Sequence, residues 1–176
     1  MPDQIPFVET AAAALVPDQS YRNVVSGLIT RAANHCLASL FIVDPDPLGD
    51  TDLVVDALLH DLAGAAWRGA DARLLIGGSR GTARIRDVCL LARARAQGLG
   101  IPARLRAATD QRSDHAKIVV ADDAVLLGSH NWSPGALTGQ TQDSVLIWDT
   151  ALAGYFVTRF ETQWSIAREK GFDAPV

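Results

Sequence analysis

Two short patterns in this chain could do chemistry: His115-Ala116-Lys117 at the head of an apolar run, and Gly128-Ser129-His130-Asn131 at the end of the next one. Side chains at i and i+2 of a strand project from one face, about 6.5–7 Å apart. His115 and Lys117 therefore point together from the mouth of a strand, and Asn131 arrives from the end of its neighbour. The group offers an imidazole able to act as nucleophile or acid, a fixed cation, and amide and hydroxyl donors from Asn131 and Ser129. It lacks the clustered carboxylates a hard metal needs, and Lys117 beside the histidine would repel a divalent ion. The set suits an anionic phosphate, with no metal and no other cofactor expected.

Such residues need a sheet to hold them. A helical repeat at Val24, Val25, Leu28, Ile29 and Ala32 follows Pro17-Asp18, and Leu37–Val43 reads as a buried strand. Asp44–Asp50 carries two prolines and reads as a loop; its acids lack the spacing of an EF-hand. Thr51–Arg68 reads as a helix with Leu53, Ala57, Leu58 and Leu62 inward and His60 on the surface. Asp71–Ile76 reads as a strand, followed by Gly77-Gly78-Ser79-Arg80-Gly81-Thr82 and a helix to about Gln97. That glycine-rich loop could meet a phosphate, but it matches no nucleotide fingerprint, so a tight turn is the favoured reading. A third strand runs to about Arg106. Ala116–Ala121 and Val125–Ser129 form a hairpin, a loop with Pro134, Gly135 and Gly139 follows, and Asp143–Trp148 and Ala151–Lys170 give a last strand and helix. This alternation predicts an α/β fold: a central mixed β-sheet flanked by helices on both faces.

The 176 residues fit one domain spanning 1–176, and 48% hydrophobic against 20% charged residues is ordinary for a compact globular chain. Cys36 and Cys89 lie apart in apolar surroundings and read as buried small side chains, without a disulfide or zinc site. MPDQIPFVET has no basic leader pattern, so a cytoplasmic protein with no membrane insertion is expected. Net charge is −4, yet residues 68–117 hold eleven basic residues against four acids, a local +7. A positive side where phosphates dock is the implication.

Taken together, His115-Ala-Lys117-Ile-Val-Val-Ala-Asp122 and Gly128-Ser129-His130-Asn131 resemble the signature of the phospholipase D superfamily: His-x-Lys, four residues, Asp, then Gly-Ser-x-Asn. The likeness covers nearly the whole chain. In size and layout it is most similar to the small bacterial endonucleases that carry a single motif, each equivalent to half of a two-motif enzyme. The resemblance implies a phosphohistidine at His115, with Lys117 and Asn131 on the non-bridging oxygens, Ser129 assisting, and Asp122 as a structural partner. Two departures stand out. Asp123 occupies a position where the family often has glycine, in a turn where aspartate tolerates a left-handed backbone. Gln142 stands eleven residues past Asn131, where the family often has a glutamate that orients the histidine; Gln142 could accept the imidazole N–H without supplying charge, or Asp143 could substitute.

One motif is half of such a site, so the resemblance implies a homodimer that brings His115 from each chain to one phosphate, or a heteromer with another chain bearing the motif. The leading expectation is a metal-independent nuclease acting on DNA or RNA, with His130, Arg80, Arg84 and Arg112 as further substrate contacts. A lipid phosphodiesterase, and a nucleic-acid-binding or assembly subunit with weak turnover, are the competing readings.

Overall fold

The computed structural model describes residues 12–45, 53–78, 82–106 and 114–167. The elements in order are β1 (Ala12–Pro17), α1 (Ser20–Arg31), β2 (His35–Leu40), α2 (Val54–Trp67), β3 (Asp71–Ile76), α3 (Ala83–Gly98), β4 (Ala103–Leu105), β5 (Lys117–Ala121), β6 (Ala124–Gly128), α4 (Pro134–Thr138), β7 (Asp143–Trp148) and α5 (Thr150–Ile166). Seven strands make one mixed sheet, ordered β1-β7-β6-β5-β2-β3-β4. β2, β3 and β4 run parallel, and the remaining neighbours pair antiparallel.

Strand side chains alternate between two cores, as a pleated backbone requires. Cys36, Ala38 and Leu40 of β2, with Val119 and Ala121 of β5, face the apolar stripes of α1, α2 and α3. Leu37, Leu75 and Val120 face the other way, where Phe160 and Ala153 of α5 cover them. On α1, Tyr21, Val25 and Ile29 are buried at four-residue spacing, and on α2 Leu58, Leu59 and Leu62 are buried at spacings of one, three and four. Each such side chain stabilises the fold by about 1.5–3 kcal/mol. The expected layering, a mixed sheet with helices on both faces, is the one observed.

The differences from expectation have local causes. β1 is an edge strand exposed along Ala12–Leu15, so its sequence shows no alternation; register with β7 holds it, and Pro17 ends it where an edge tolerates a missing donor. Leu53, expected to face inward, precedes α2 and is 56% exposed. The loop after Asn131 contains the short α4, with Pro134 in its first turn. In the β5–β6 hairpin the left-handed residue is Asp122, at φ 50°, and not Asp123.

Candidate active site

The apolar run of β5 places the candidate pair, His115 and Lys117. Lys117 is its first residue and pairs across the ladder with Leu40 of β2, so His115 emerges just beyond the strand, beside the continuation of β2. Lys117 is 7% exposed, whereas His115 is exposed. Lys117 Nζ donates to the His115 carbonyl at 2.8 Å and stands 2.8 Å from Nδ1 and 3.4 Å from Nε2 of the imidazole. Near-equal distances to both ring nitrogens put Nζ against the ring face, off the in-plane axis of either lone pair. The ring nitrogens are thus left for a substrate and for an orienting partner.

Burial, then the Lys117 charge, pulls the His115 imidazole below its ordinary value, and Asp114 opposes them. Lys117 is itself pushed down to about 8 by burial, again against Asp114. Burial and the Lys117 charge together favour the neutral form of the His115 imidazole. Asp114 receives the Ala116 N–H at 3.2 Å, and its other oxygen lies 3.8 Å from Arg106 Nε.

The second pattern is tied to the end of β2. The Asn131 carboxamide oxygen accepts from Ile42 N–H at 3.2 Å, Trp132 N–H donates to the Ile42 carbonyl, and Asp44 N–H donates to the Trp132 carbonyl. With its carbonyl engaged, Asn131 presents its NH2 as the group available to an anion. Ser129 Oγ donates to the Asp143 carbonyl at 3.2 Å and accepts from Asp143 N–H at 3.1 Å. Its hydroxyl hydrogen is therefore already engaged, and the residue fastens β6 to β7.

Asp122 lies at the far end of β5 and accepts from the backbone N–H groups of Ala33, Asn34 and His35 at 2.9, 2.9 and 3.1 Å. Burial raises its carboxyl, but these bonds outweigh burial and hold it below the usual range. That geometry is a structural clasp.

His130 departs from expectation. It is completely buried, stacked on Tyr21 with centroids 4.2 Å apart, with Nδ1 bonded to Ser144 Oγ at 2.8 Å and Nε2 to the Asp18 carbonyl at 3.0 Å. Just past the end of β6 it turns into the core, between the exposed Ser129 and the half-buried Asn131, and it offers no surface to a substrate. Gln142 also departs: its amide N–H donates to Gln140 Oε1 at 2.9 Å, and its backbone N–H to Asp18 Oδ1, with no bond to His115. Asp143 engages Ser129 through its backbone.

The basic segment is less free than its composition suggests. Arg73 pairs with Asp71 and Glu161, Arg95 with Asp56, and Arg106 lies beside Asp114. Arg84 is exposed on the first turn of α3, while Arg80 and Arg112 lie outside the described residues. Sequence reasoning missed Phe41, whose ring packs on His115, and the reason for Gly77: a Cβ there would strike the Asp114 carbonyl, immediately before His115. Close backbone packing thus explains Gly77; the centre of the loop read as a tight turn lies outside the described residues.

The family described as cardiolipin synthase, phospholipase D-like domain, matches residues 27–164. The chain belongs to this phospholipase D-like family. Comparison with curated protein sequences gave no match. Among solved structures it is similar to Nuc, a phospholipase D family member from Salmonella typhimurium, at 22% identity and a TM-score of 0.68, over 93% of this chain and 100% of that one. It is also similar to NucT from Helicobacter pylori, at 15% identity and a TM-score of 0.64, over 92% and 99% of the two chains. Phosphatidylserine synthase from Haemophilus influenzae superposes with a TM-score of 0.69 at 14% identity, over 96% of this chain and 41% of that one. Within the phospholipase D superfamily the coarse assignment is to its phosphodiesterases. The phospholipase D-like fold accounts for the arrangement around β5: His115 and Lys117 at one end of the strand, Asp122 at the other, and Asn131 brought back against β2.

Proposed function

We propose that this chain is a metal-independent nuclease that cleaves DNA or RNA through a phosphohistidine at His115. The observation carrying this reading is the candidate pair: an exposed imidazole with Lys117 Nζ 2.8 Å from Nδ1, at the end of β5, with Asn131 tied by its carbonyl to Ile42 just past β2. An imidazole nitrogen of His115 attacks phosphorus, and the P–O bond to the leaving oxygen breaks as that oxygen takes a proton from the second imidazole. Water then attacks phosphorus, gives its proton to the second imidazole, and frees His115. Lys117 and Asn131 stabilise the charge on the non-bridging oxygens. The donor set supports chemistry without a metal, because a lysine ammonium against the imidazole opposes a divalent cation there.

The second imidazole is His115 of the partner subunit in a symmetric homodimer, because one motif supplies one histidine. Gel filtration with cross-linking tests this part, and an active monomer would contradict it. Size and layout favour the nuclease, since Nuc and NucT are covered to 100% and 99% of their lengths. A lipid phosphodiesterase is the second reading, favoured by the family's cardiolipin synthase description and by the likeness to phosphatidylserine synthase. Among the described residues no helix is long and apolar enough to cross a membrane.

The deciding experiment incubates the purified protein with plasmid, single-stranded DNA, RNA and a phosphatidylcholine analogue, in EDTA, beside His115→Ala. Cleavage of nucleic acid, lost in the variant, is expected. Turnover of the lipid alone would favour the second reading. Nucleic-acid binding without cleavage would identify a binding subunit instead.

A further inference from the structure

Phe41 immediately follows β2, one position beyond Leu40, which pairs with Lys117. Its ring centroid lies 4.4 Å from that of His115 with the planes tilted by 41°, and Lys117 Nζ lies 5.1 Å from the same centroid. One half-buried aromatic side chain thus touches both members of the reactive pair. Its own place is fixed from behind. Cys89 Sγ of α3 sits 3.8 Å from the Phe41 carbonyl, and Gly78 packs so closely there that a Cβ would press on that carbonyl. Meanwhile the His115 imidazole, exposed at a strand mouth, receives no hydrogen bond from Gln142, whose amide is held by Gln140.

We propose that Phe41 is the positioning residue of the nucleophile: its ring fixes the tilt of the His115 imidazole and shields the Lys117 ammonium, supplying by contact the orientation that Gln142 does not supply by hydrogen bonding. Two physical effects support this. Tilted aromatic pairs at such separations are favourable beyond simple burial, so the ring narrows the imidazole's rotamer choice. A cation within about 6 Å of an aromatic face is attracted by the ring quadrupole, which steadies Lys117 while water is excluded. Burial is the largest cause of the low imidazole and ammonium values, and Phe41 is part of that burial. The charged groups acting on the imidazole are Lys117 and Asp114, the latter beside Arg106, and none is altered by changing Phe41.

The kinetic part of this inference rests on the phosphodiesterase reading; the contact itself does not. The experiment therefore has two arms. Phe41→Leu keeps apolar bulk and removes the ring, and Phe41→Tyr keeps the ring. With a cleavable nucleic acid, Phe41→Leu lowers kcat about tenfold, KM stays within about twofold, the acid limb of the rate profile moves to higher pH, and Phe41→Tyr restores the rate. In the second arm, NMR titration of the His115 ring proton moves upward in Phe41→Leu and stays in place in Phe41→Tyr. An unchanged titration with unchanged kcat in Phe41→Leu overturns the proposal. Equal loss of rate in both variants with an unmoved titration also overturns it, since that is the mark of packing alone. If the wild-type protein cleaves no phosphodiester, the nuclease reading fails while the NMR arm still decides the role of Phe41.

Discussion

Lys117 Nζ stands 2.8 Å from Nδ1 and 3.4 Å from Nε2 of His115 while donating to the His115 carbonyl. The cation thus does two jobs at once: it holds the backbone of His115, the proposed nucleophile, and sets the charge its ring experiences. Activity requires Lys117 charged and the attacking imidazole neutral. The proposed mechanism also needs His115 of the partner subunit protonated, so the depressed His115 value moves the optimum to lower pH than a pair of ordinary histidines would give. Loss of the Lys117 charge, with its value of about 8, steepens the fall in kcat/KM at alkaline pH. Lys117→Arg removes the lysine part of that fall, because a guanidinium does not titrate, so the decline at high pH becomes shallower, and it lowers kcat/KM by about 100-fold through its different shape. A rate profile between pH 5 and 10 for both proteins checks this.

Asp122 provides a prediction about stability. Its carboxylate satisfies three backbone N–H groups of the α1–β2 turn and occupies a left-handed position. Asp122→Ala leaves those donors without their acceptor and strains the backbone, destabilising the fold by about 2–4 kcal/mol; Asp122→Asn costs less, because asparagine tolerates that conformation and keeps one acceptor. Urea unfolding at pH 7 measures both. The folded carboxyl is held below its unfolded value, so its contribution is present above the unfolded pKa of about 4 and is lost as pH falls through the folded value.

His130 provides the opposite case of a histidine that never meets substrate. Burial, opposed by the Asp18 carbonyl, holds its pKa below the ordinary value. It stays neutral in the fold and protonates more readily when unfolded, so it contributes stability above about pH 6.5 that is lost as pH falls through that range. His130→Ala lowers unfolding free energy by about 2–4 kcal/mol at pH 7 and flattens the stability curve between pH 5 and 7. Chemical denaturation at several pH values reads both effects.

Much of this was legible in the sequence where a residue's surroundings are local. His115 and Lys117 share a face because they lie two apart at the head of an apolar strand, and Asp122 lies at the turn that closes the same strand. The sheet with helices on both faces followed from alternating apolar runs. What escaped was set by distant chain. β1 lacks any alternation because it is exposed along Ala12–Leu15 and its partner, β7, is more than a hundred residues away. His130 looked available because its neighbours are, while its burial depends on Tyr21 and Asp18 at the other end of the chain. The +7 of residues 68–117 overstated a basic surface because Asp56 and Glu161, both outside that stretch, pair with Arg95 and Arg73.

Gln142 takes the position where an orienting glutamate was expected, yet its side chain bonds Gln140. Gln142→Ala therefore changes kcat by no more than about twofold, within the range of a surface substitution that removes no buried contact. A steady-state comparison of the two proteins on one oligonucleotide checks this, and a loss beyond tenfold would show that Gln142 reaches His115 during turnover.

The most direct measurement of the central claim is covalent. An oligonucleotide carrying ³²P at its internal phosphodiesters is mixed with the protein in EDTA and quenched in alkali, and the protein is assayed for bound label. The account predicts label that survives alkali and is released by acid, as a phosphorus–nitrogen bond requires, located on His115 and absent from His115→Ala. Cleavage that proceeds without labelling the protein, or label retained by His115→Ala, would contradict it.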